Sequence, residues 1–83
     1  MVTLLYFAGL KERLGIGRET VAPPVEVRSV GEMRDWLRRR GGVWADALAA
    51  KNLQVAVNRS MTTFDAAISD GDEVAIFPPV TGG

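Results

Sequence analysis

The chain contains no cysteine and no histidine. Without cysteine it has no disulfide, no thiolate metal site and no cysteine nucleophile. Without histidine it lacks the commonest general base and metal ligand of proteins. These absences disfavour most enzyme mechanisms, and we expect neither a metal site nor a permanently bound cofactor.

The chain also lacks a charge imbalance and a long hydrophobic run. Ten basic and ten acidic residues give a formal net charge of zero, so no overall attraction to nucleic acid or anionic lipid is implied. No stretch approaches the roughly 20 apolar residues that a membrane span needs, and the apolar start at 2–10 lacks a basic leader. These features predict a cytoplasmic protein that binds neither nucleic acid nor membrane.

The residues that are present suit one small domain, since 47% of the 83 residues are hydrophobic. Strand-favouring runs predict strands, and apolar residues three to four positions apart predict helices. The predicted strands are 2–7, 19–21 with 25–27, 54–58, 61–64 and 73–77, and the predicted helices are 10–14, 30–40 and 43–50. Pro23 and Pro24 interrupt the second strand and cannot donate to a ladder, so this strand is predicted to lie at a sheet edge.

The main helix, 30–40, is predicted to begin at a capping box formed by Ser29 and Glu32. The element order predicts an α+β fold in which this helix packs on one face of a mixed sheet. That order is compatible with a ubiquitin-like β-grasp, although other small folds of sheet and helix share it. The domain is predicted to span 1–77, followed by a flexible C-terminal tail at 78–83.

One face of the predicted sheet carries apolar side chains that the helix does not cover. Because Glu73 is charged, the odd-numbered positions of the last strand are predicted to point away from the helix, and Thr3 marks the same side of the first strand. The apolar residues predicted to share this outward face are Leu5, Phe7, Met61, Ala75 and Phe77. An exposed apolar patch with aromatic anchors is typical of a partner surface. The alternative is that the two phenylalanines fill a second small core beneath a loop.

The last six residues, 78–83, form a candidate functional tail. They begin with two prolines, which favour extended backbone, and they reach on the order of 20 Å. Thr81 has a small side chain, and Gly82 and Gly83 have none, which suits an end that enters a narrow channel. A terminal diglycine alone is weak evidence, because such tails are often frayed ends.

Three groups of residues add context to this tail. They are Leu5-Tyr6-Phe7-Ala8 with Glu12 and Leu14-Gly15 near the start, Ala56-Val57-Asn58 in the middle, and Gly71-Asp72-Glu73-Val74-Ala75-Ile76-Phe77-Pro78-Pro79-Val80-Thr81-Gly82-Gly83 at the end. Together they resemble the molybdopterin synthase small subunit, the MoaD family of sulfur carriers. The resemblance covers essentially the whole chain, and its terminal motif is much more specific than a bare diglycine.

The resemblance implies a ubiquitin-like β-grasp and a non-catalytic subunit that donates sulfur. In this family an E1-like enzyme, MoeB, uses ATP to adenylate the terminal glycine, here Gly83, and a sulfur donor such as a cysteine desulfurase then provides the sulfur of a thiocarboxylate. The tail enters the large subunit, MoaE, in a heterotetramer of two small and two large subunits, where cyclic pyranopterin monophosphate becomes molybdopterin. The residues carried over by position are Gly82, Thr81, Val80, Pro79 and Pro78 for tail access, and Phe7, Met61 and Phe77 for partner contact.

Other functions remain compatible with these residues. A ubiquitin-like protein modifier would form the same adenylate and then an isopeptide bond between Gly83 and a lysine. A sulfur carrier for thiamine or for tRNA thiolation would use a different acceptor. The plainest alternative is a non-covalent binding domain with an inert tail.

Charged and aromatic residues elsewhere have simpler interpretations. The arginines at 38–40 could bind phosphate, but favourable charges near a helix C-terminus explain them as well. The acidic residues of 65–73 fit no EF-hand spacing and are typical of turns. Trp36 and Trp44 are predicted to be core residues because of their helical placement.

Overall fold

Eight elements of secondary structure follow one another in the predicted order. The computed structural model describes residues 1–79. The strands are β1 (Val2–Tyr6), β2 (Arg18–Val21), β3 (Gln54–Val57), β4 (Ser60–Thr62) and β5 (Glu73–Phe77), and the helices are α1 (Ala8–Leu14), α2 (Val30–Arg38) and α3 (Val43–Ala47). No helix in this part of the chain has the length and apolarity that crossing a membrane requires.

The strands form a single mixed sheet in the order β2-β1-β5-β3-β4. The two central strands, β1 and β5, are parallel, and every other neighbouring pair is antiparallel. Strand β2 therefore lies at an edge, as its flanking prolines predicted. The α+β class and the mixed sheet are confirmed.

The core lies between the sheet and helix α2. Val30, Met33 and Leu37 recur at helical spacing on α2, and each is 0% exposed. They share one buried cluster with Leu4 of β1 and Ile76 of β5. Burying a side chain of this size stabilises the folded state by about 1.5–3 kcal/mol. This face of the sheet therefore forms part of the core.

The start of α2 has the predicted cap with one difference. The hydroxyl of Ser29 accepts a hydrogen bond from the backbone N–H of Glu32 at 3.1 Å. The carboxylate of Glu32 accepts from the N–H of Arg28 at 2.9 Å, one residue before the usual position. Two backbone donors are still satisfied, which is the purpose of a capping box.

Several predicted elements are wrong in extent. Residues 25–27 do not continue the second strand, because the N–H of Val27 donates to the carbonyl of Pro24 in a turn. Helix α2 ends at Arg38 and not at Arg40, because the next N–H groups bond three residues back, and such tightened turns often end helices. Helix α3 is likewise shorter than predicted.

Candidate functional site: the outer face of the sheet

A row of apolar residues crosses the face of the sheet that α2 leaves uncovered. Leu5 on β1 lies opposite Ala75 on β5, which lies opposite Ala56 on β3, which in turn lies opposite Met61 on β4. Phe77 ends β5 on the same face. We call these residues and Phe7 the outer apolar face.

Two aromatic rings meet at one end of this face. The rings of Phe7 and Phe77 are in T-shaped contact with centroids 6.3 Å apart, an arrangement that aromatic pairs prefer. Phe7 remains 47% exposed and Met61 is 61% exposed. The three residues predicted to contact partners therefore lie on one accessible surface, and in the described part of the chain no loop buries Phe7.

The residue that follows Phe7 has a strained backbone conformation. Phe7 has extended backbone and caps α1, and the next residue, Ala8, has φ +54°. A left-handed conformation costs an ordinary L-residue about 1–2 kcal/mol. This turn ends β1 at Tyr6, one residue earlier than predicted, and leaves Phe7 outside the ladder.

Charged side chains border the outer apolar face. Arg18 on edge strand β2 lies opposite Leu5. At the start of β5, the carboxylate of Glu73 lies 3.7 Å from the exposed guanidinium of Arg59. An apolar centre with a polar rim is the usual anatomy of a protein interface.

The C-terminal segment begins at the same end of the sheet as the aromatic pair. Because β1 and β5 are parallel, Phe7 and Pro78 both follow the ends of their strands there. Pro78 and Pro79 have no regular secondary structure and are partly buried. The other tail residues of the sequence prediction, Val80, Thr81, Gly82 and Gly83, lie outside the described residues, so their role stays a prediction.

A polar network stabilises the opposite side of β1. The Tyr6 hydroxyl donates to Glu19 at 2.9 Å, and the guanidinium of Arg40 donates to both oxygens of that carboxylate at 2.8 and 2.9 Å. Trp44 contacts the Tyr6 ring edge-on, and Arg40 lies over Trp44. Arg40 is therefore engaged with Glu19 and Trp44 within the fold, a role that neither interpretation of the arginine cluster predicted.

This network shifts the pKa values of its members, among them Tyr6 and Glu19. Burial, together with the hydrogen bond to the Glu19 carboxylate, raises the pKa of Tyr6 well above its usual range. Burial acts to raise the pKa of Glu19, but the hydrogen bonds from Arg40 and Tyr6 outweigh it and hold that pKa below its usual value. Glu19 is thus ionised and paired at neutral pH.

The acidic residues near β5 have structural partners. Asp72 accepts from the N–H of Ser69 at 2.7 Å and from the amide of Asn58 at 2.9 Å, and Asp70 pairs with the N-terminal ammonium of Met1. Within residues 1–79, no three acidic side chains converge as metal ligands would. The hydrogen bonds to Asp72 agree with its interpretation as a turn former.

Comparison with known proteins identifies the family. The model of the ThiS family matches residues 4–83. The chain belongs to the ThiS family. The resemblance to the MoaD group of sulfur carriers is confirmed by relatives that match over their full length.

Two bacterial relatives match over the whole of both chains. The chain is 40% identical to the molybdopterin synthase sulfur carrier subunit of Escherichia coli over 83 residues, which is all of both chains. It is 35% identical to the protein of the same name from Haemophilus influenzae, again over all of both chains.

Solved structures support the ubiquitin-like β-grasp of this ThiS family member. SAMP1 from Haloferax volcanii is similar with a TM-score of 0.69 at 28% identity, covering 99% of this chain and 98% of that one. Subunit 1 of the molybdopterin-converting factor from Helicobacter pylori, solved in complex with subunit 2, has a TM-score of 0.65 at 22% identity, covering 99% and 97%. The second likeness bears on the fold alone.

Two features of the site were not predicted from the sequence. Ala56 completes the apolar row, and the alternation of Gln54, Ala56 and Asn58 on one face of β3 could have shown this. The left-handed conformation of Ala8 has no local signal, because alanine does not favour it. Only the path of the chain from β1 into α1 produces it.

Proposed function

We propose that this ThiS family member is the sulfur carrier subunit of a molybdopterin synthase and that the terminal carboxylate of Gly83 carries the sulfur. The observation that carries this proposal is the 40% identity to the Escherichia coli sulfur carrier subunit over the whole of both chains. The fold supports it, because Phe77 joins the outer apolar face directly to the C-terminal segment.

The proposed chemistry needs no catalytic side chain from the carrier. A carboxylate is a poor electrophile, so an oxygen of the Gly83 carboxylate first attacks the α-phosphorus of ATP, and pyrophosphate leaves. A sulfur nucleophile from a donor protein then attacks the acyl carbon, and AMP leaves. With a persulfide donor this attack gives an acyl disulfide, and a thiol reductant then attacks the donor's sulfur, so that a new disulfide forms, the sulfur–sulfur bond of the acyl disulfide breaks and the thiocarboxylate leaves. The absence of cysteine and histidine is compatible with a carrier whose partners perform these steps.

The outer apolar face is the proposed docking surface for the large subunit. Phe7 and Phe77 form an aromatic anchor at the end of the sheet from which the tail leaves, and Met61 extends the surface across β4. Docking there would direct the tail toward the active site of MoaE, in an assembly of two small and two large subunits. The adenylating enzyme MoeB and a cysteine desulfurase are the proposed sources of the adenylate and the sulfur, and the cytoplasm is the proposed site of this ATP-dependent reaction.

The central test is the intact mass of the chain after incubation with ATP, the adenylating enzyme and a sulfur donor. We expect one terminal oxygen to be replaced by sulfur in the wild type and no change in a variant that lacks Gly83. Deleting a terminal residue has little effect on stability, so both chains should unfold at the same denaturant concentration. An unchanged wild-type mass, with an adenylating enzyme shown to be active on another carrier, would contradict the proposal.

A second test separates docking from folding. Phe77→Ala is expected to weaken binding to the large subunit by about 2 kcal/mol, the loss typical of an aromatic anchor that an interface buries. Val25→Ala is the control, because Val25 is exposed on a loop away from this face. Titration calorimetry measures the binding, and chemical denaturation measures the fold. Loss of the fold in Phe77→Ala, with binding unchanged per folded molecule, would show that Phe77 is a core residue.

The protein-modifier function is the second candidate. It is favoured by the 28% identity, over 99% of this chain, to SAMP1, whose full name is small archaeal modifier protein 1. It begins with the same adenylate but ends in an isopeptide bond to a lysine. The same incubation, supplemented with a cell extract, distinguishes the two functions. A modifier would appear in covalent adducts that survive reduction, whereas a dedicated sulfur carrier would appear only as its thiocarboxylate.

A further inference from the structure

Methionines carry all the side-chain sulfur of this protein, since the chain has three methionines and no cysteine. Their environments differ sharply. Met33 is 0% exposed in the core, whereas Met1 is 60% exposed and Met61 is 61% exposed. Oxidation of a thioether requires access to its sulfur, so Met1 and Met61 are open to oxidation and Met33 is protected.

The two exposed methionines lie on different surfaces. Met61 stands on β4 opposite Ala56, in the row that crosses the outer apolar face. Met1 lines a cavity with Pro23 and Ile68, near the end of the sheet where β1 and β5 begin. Of the two, only Met61 belongs to the surface that carries Phe7 and Phe77.

We propose that Met61 is an oxidation site through which hydroperoxides control docking of the outer apolar face. The thioether sulfur attacks one oxygen of the hydroperoxide, an S–O bond forms and the O–O bond breaks. The sulfur loses two electrons, and the peroxide, taking up the displaced proton, is reduced to water or an alcohol. The product is methionine sulfoxide, which reductases can reverse.

Oxidation acts on docking and leaves the fold intact. Met61 is exposed and lies outside the buried cluster, so a polar oxygen there stays in water in the free carrier. When the large subunit covers the face, that oxygen loses water and faces apolar neighbours such as Ala56, which is unfavourable without a donor. This inference rests on the proposed function, and we expect the dissociation constant for the large subunit to rise about tenfold or more.

The test treats the full chain with hydrogen peroxide, maps sulfoxides by peptide mass spectrometry and measures binding to the large subunit by calorimetry. Met61 and Met1 should oxidise well before Met33, and the bound large subunit should slow oxidation at Met61 but not at Met1. The affinity of Met61→Leu for the large subunit should be the same before and after peroxide treatment, although Met1 still oxidises in this variant. Met61→Gln, a polar side chain of similar length, should bind weakly without any peroxide.

Several results would overturn the inference. They are oxidation of Met61 no faster than that of Met33, a dissociation constant changed by less than about twofold when Met61 is fully oxidised, and an equal loss of affinity in peroxide-treated Met61→Leu. The untreated wild type separates this inference from the proposed function. If it is thiocarboxylated and binds the large subunit, the proposed function stands whatever peroxide does.

Discussion

Asn58 is expected to stabilise the sheet that displays the outer apolar face. Its N–H donates to the carbonyl of Glu73 at 2.7 Å, and its side-chain oxygen accepts from the N–H of Glu73 at 3.0 Å. Its side-chain amide donates to Asp72 at 2.9 Å. The residue also has φ +50°, which asparagine tolerates better than most residues. Asn58 thus joins the turn after β3 to the start of β5.

Substitutions at Asn58 separate the hydrogen bonds from the backbone conformation. Asn58→Gly removes two side-chain hydrogen bonds but adopts a positive φ freely. Each bond contributes about 0.5–1.5 kcal/mol, and from the lower part of this range we expect the free energy of unfolding to fall by about 1–2 kcal/mol. Asn58→Ala loses the same bonds and must adopt the left-handed conformation, which adds about 1 kcal/mol. The expected loss for alanine is therefore about 2–3 kcal/mol.

Urea denaturation followed by fluorescence of Trp36 and Trp44 measures these losses. The control is Asn52→Ala in an exposed turn, which should change the free energy of unfolding by less than about 0.5 kcal/mol. Glycine usually destabilises relative to alanine, so the reversed order at Asn58 is the critical result. If Asn58→Ala is as stable as Asn58→Gly, the argument from the backbone is refuted. If both variants match the wild type, the argument from the hydrogen bonds is refuted.

Three further predictions concern the core, the polar network and the strained turn. Leu37→Ala removes a fully buried side chain and should cost about 2–5 kcal/mol by denaturation, whereas the exposed Val25→Ala should cost less than about 0.5 kcal/mol. The pKa of Glu19 is lower in the folded state than in the unfolded chain. The ionised carboxylate therefore stabilises the fold above its unfolded-state pKa, and this stabilisation is lost as the pH falls through its folded-state pKa. Stability should therefore fall less in Glu19→Gln than in the wild type on acidification from pH about 6 to about 3, and an equal fall in both would contradict this. Ala8→Gly should raise stability by up to about 1 kcal/mol, because relief of the positive φ, about 1–2 kcal/mol, exceeds the cost of the extra freedom of glycine in the unfolded chain, about 0.4–1 kcal/mol, and a loss of stability would show that Ala8 is not strained.

The sequence by itself determined the features that follow from local rules. The period of two in β5 predicted both its bounds and its outward residues, and the spacing of Val30, Met33 and Leu37 predicted the buried side of α2. The terminal motif, together with the matching residues near the start and in the middle of the chain, carried the resemblance to the family that the comparisons then identified. Each of these periodic signals lies within one segment of the chain, where the geometry of the local backbone decides which side chains share a face.

The tertiary structure decided what depends on residues far apart in the chain. Three contacts join separate elements. They are the pairing of Glu19 with Arg40, the hydrogen bond from Asn58 to Asp72 and the contact of Phe7 with Phe77. The left-handed turn at Ala8 and the early end of α2 also escaped prediction, because the paths of neighbouring elements override the preference of the residue itself. A sequence pattern determines which face a residue prefers, but only the packed chain determines which residue it meets there.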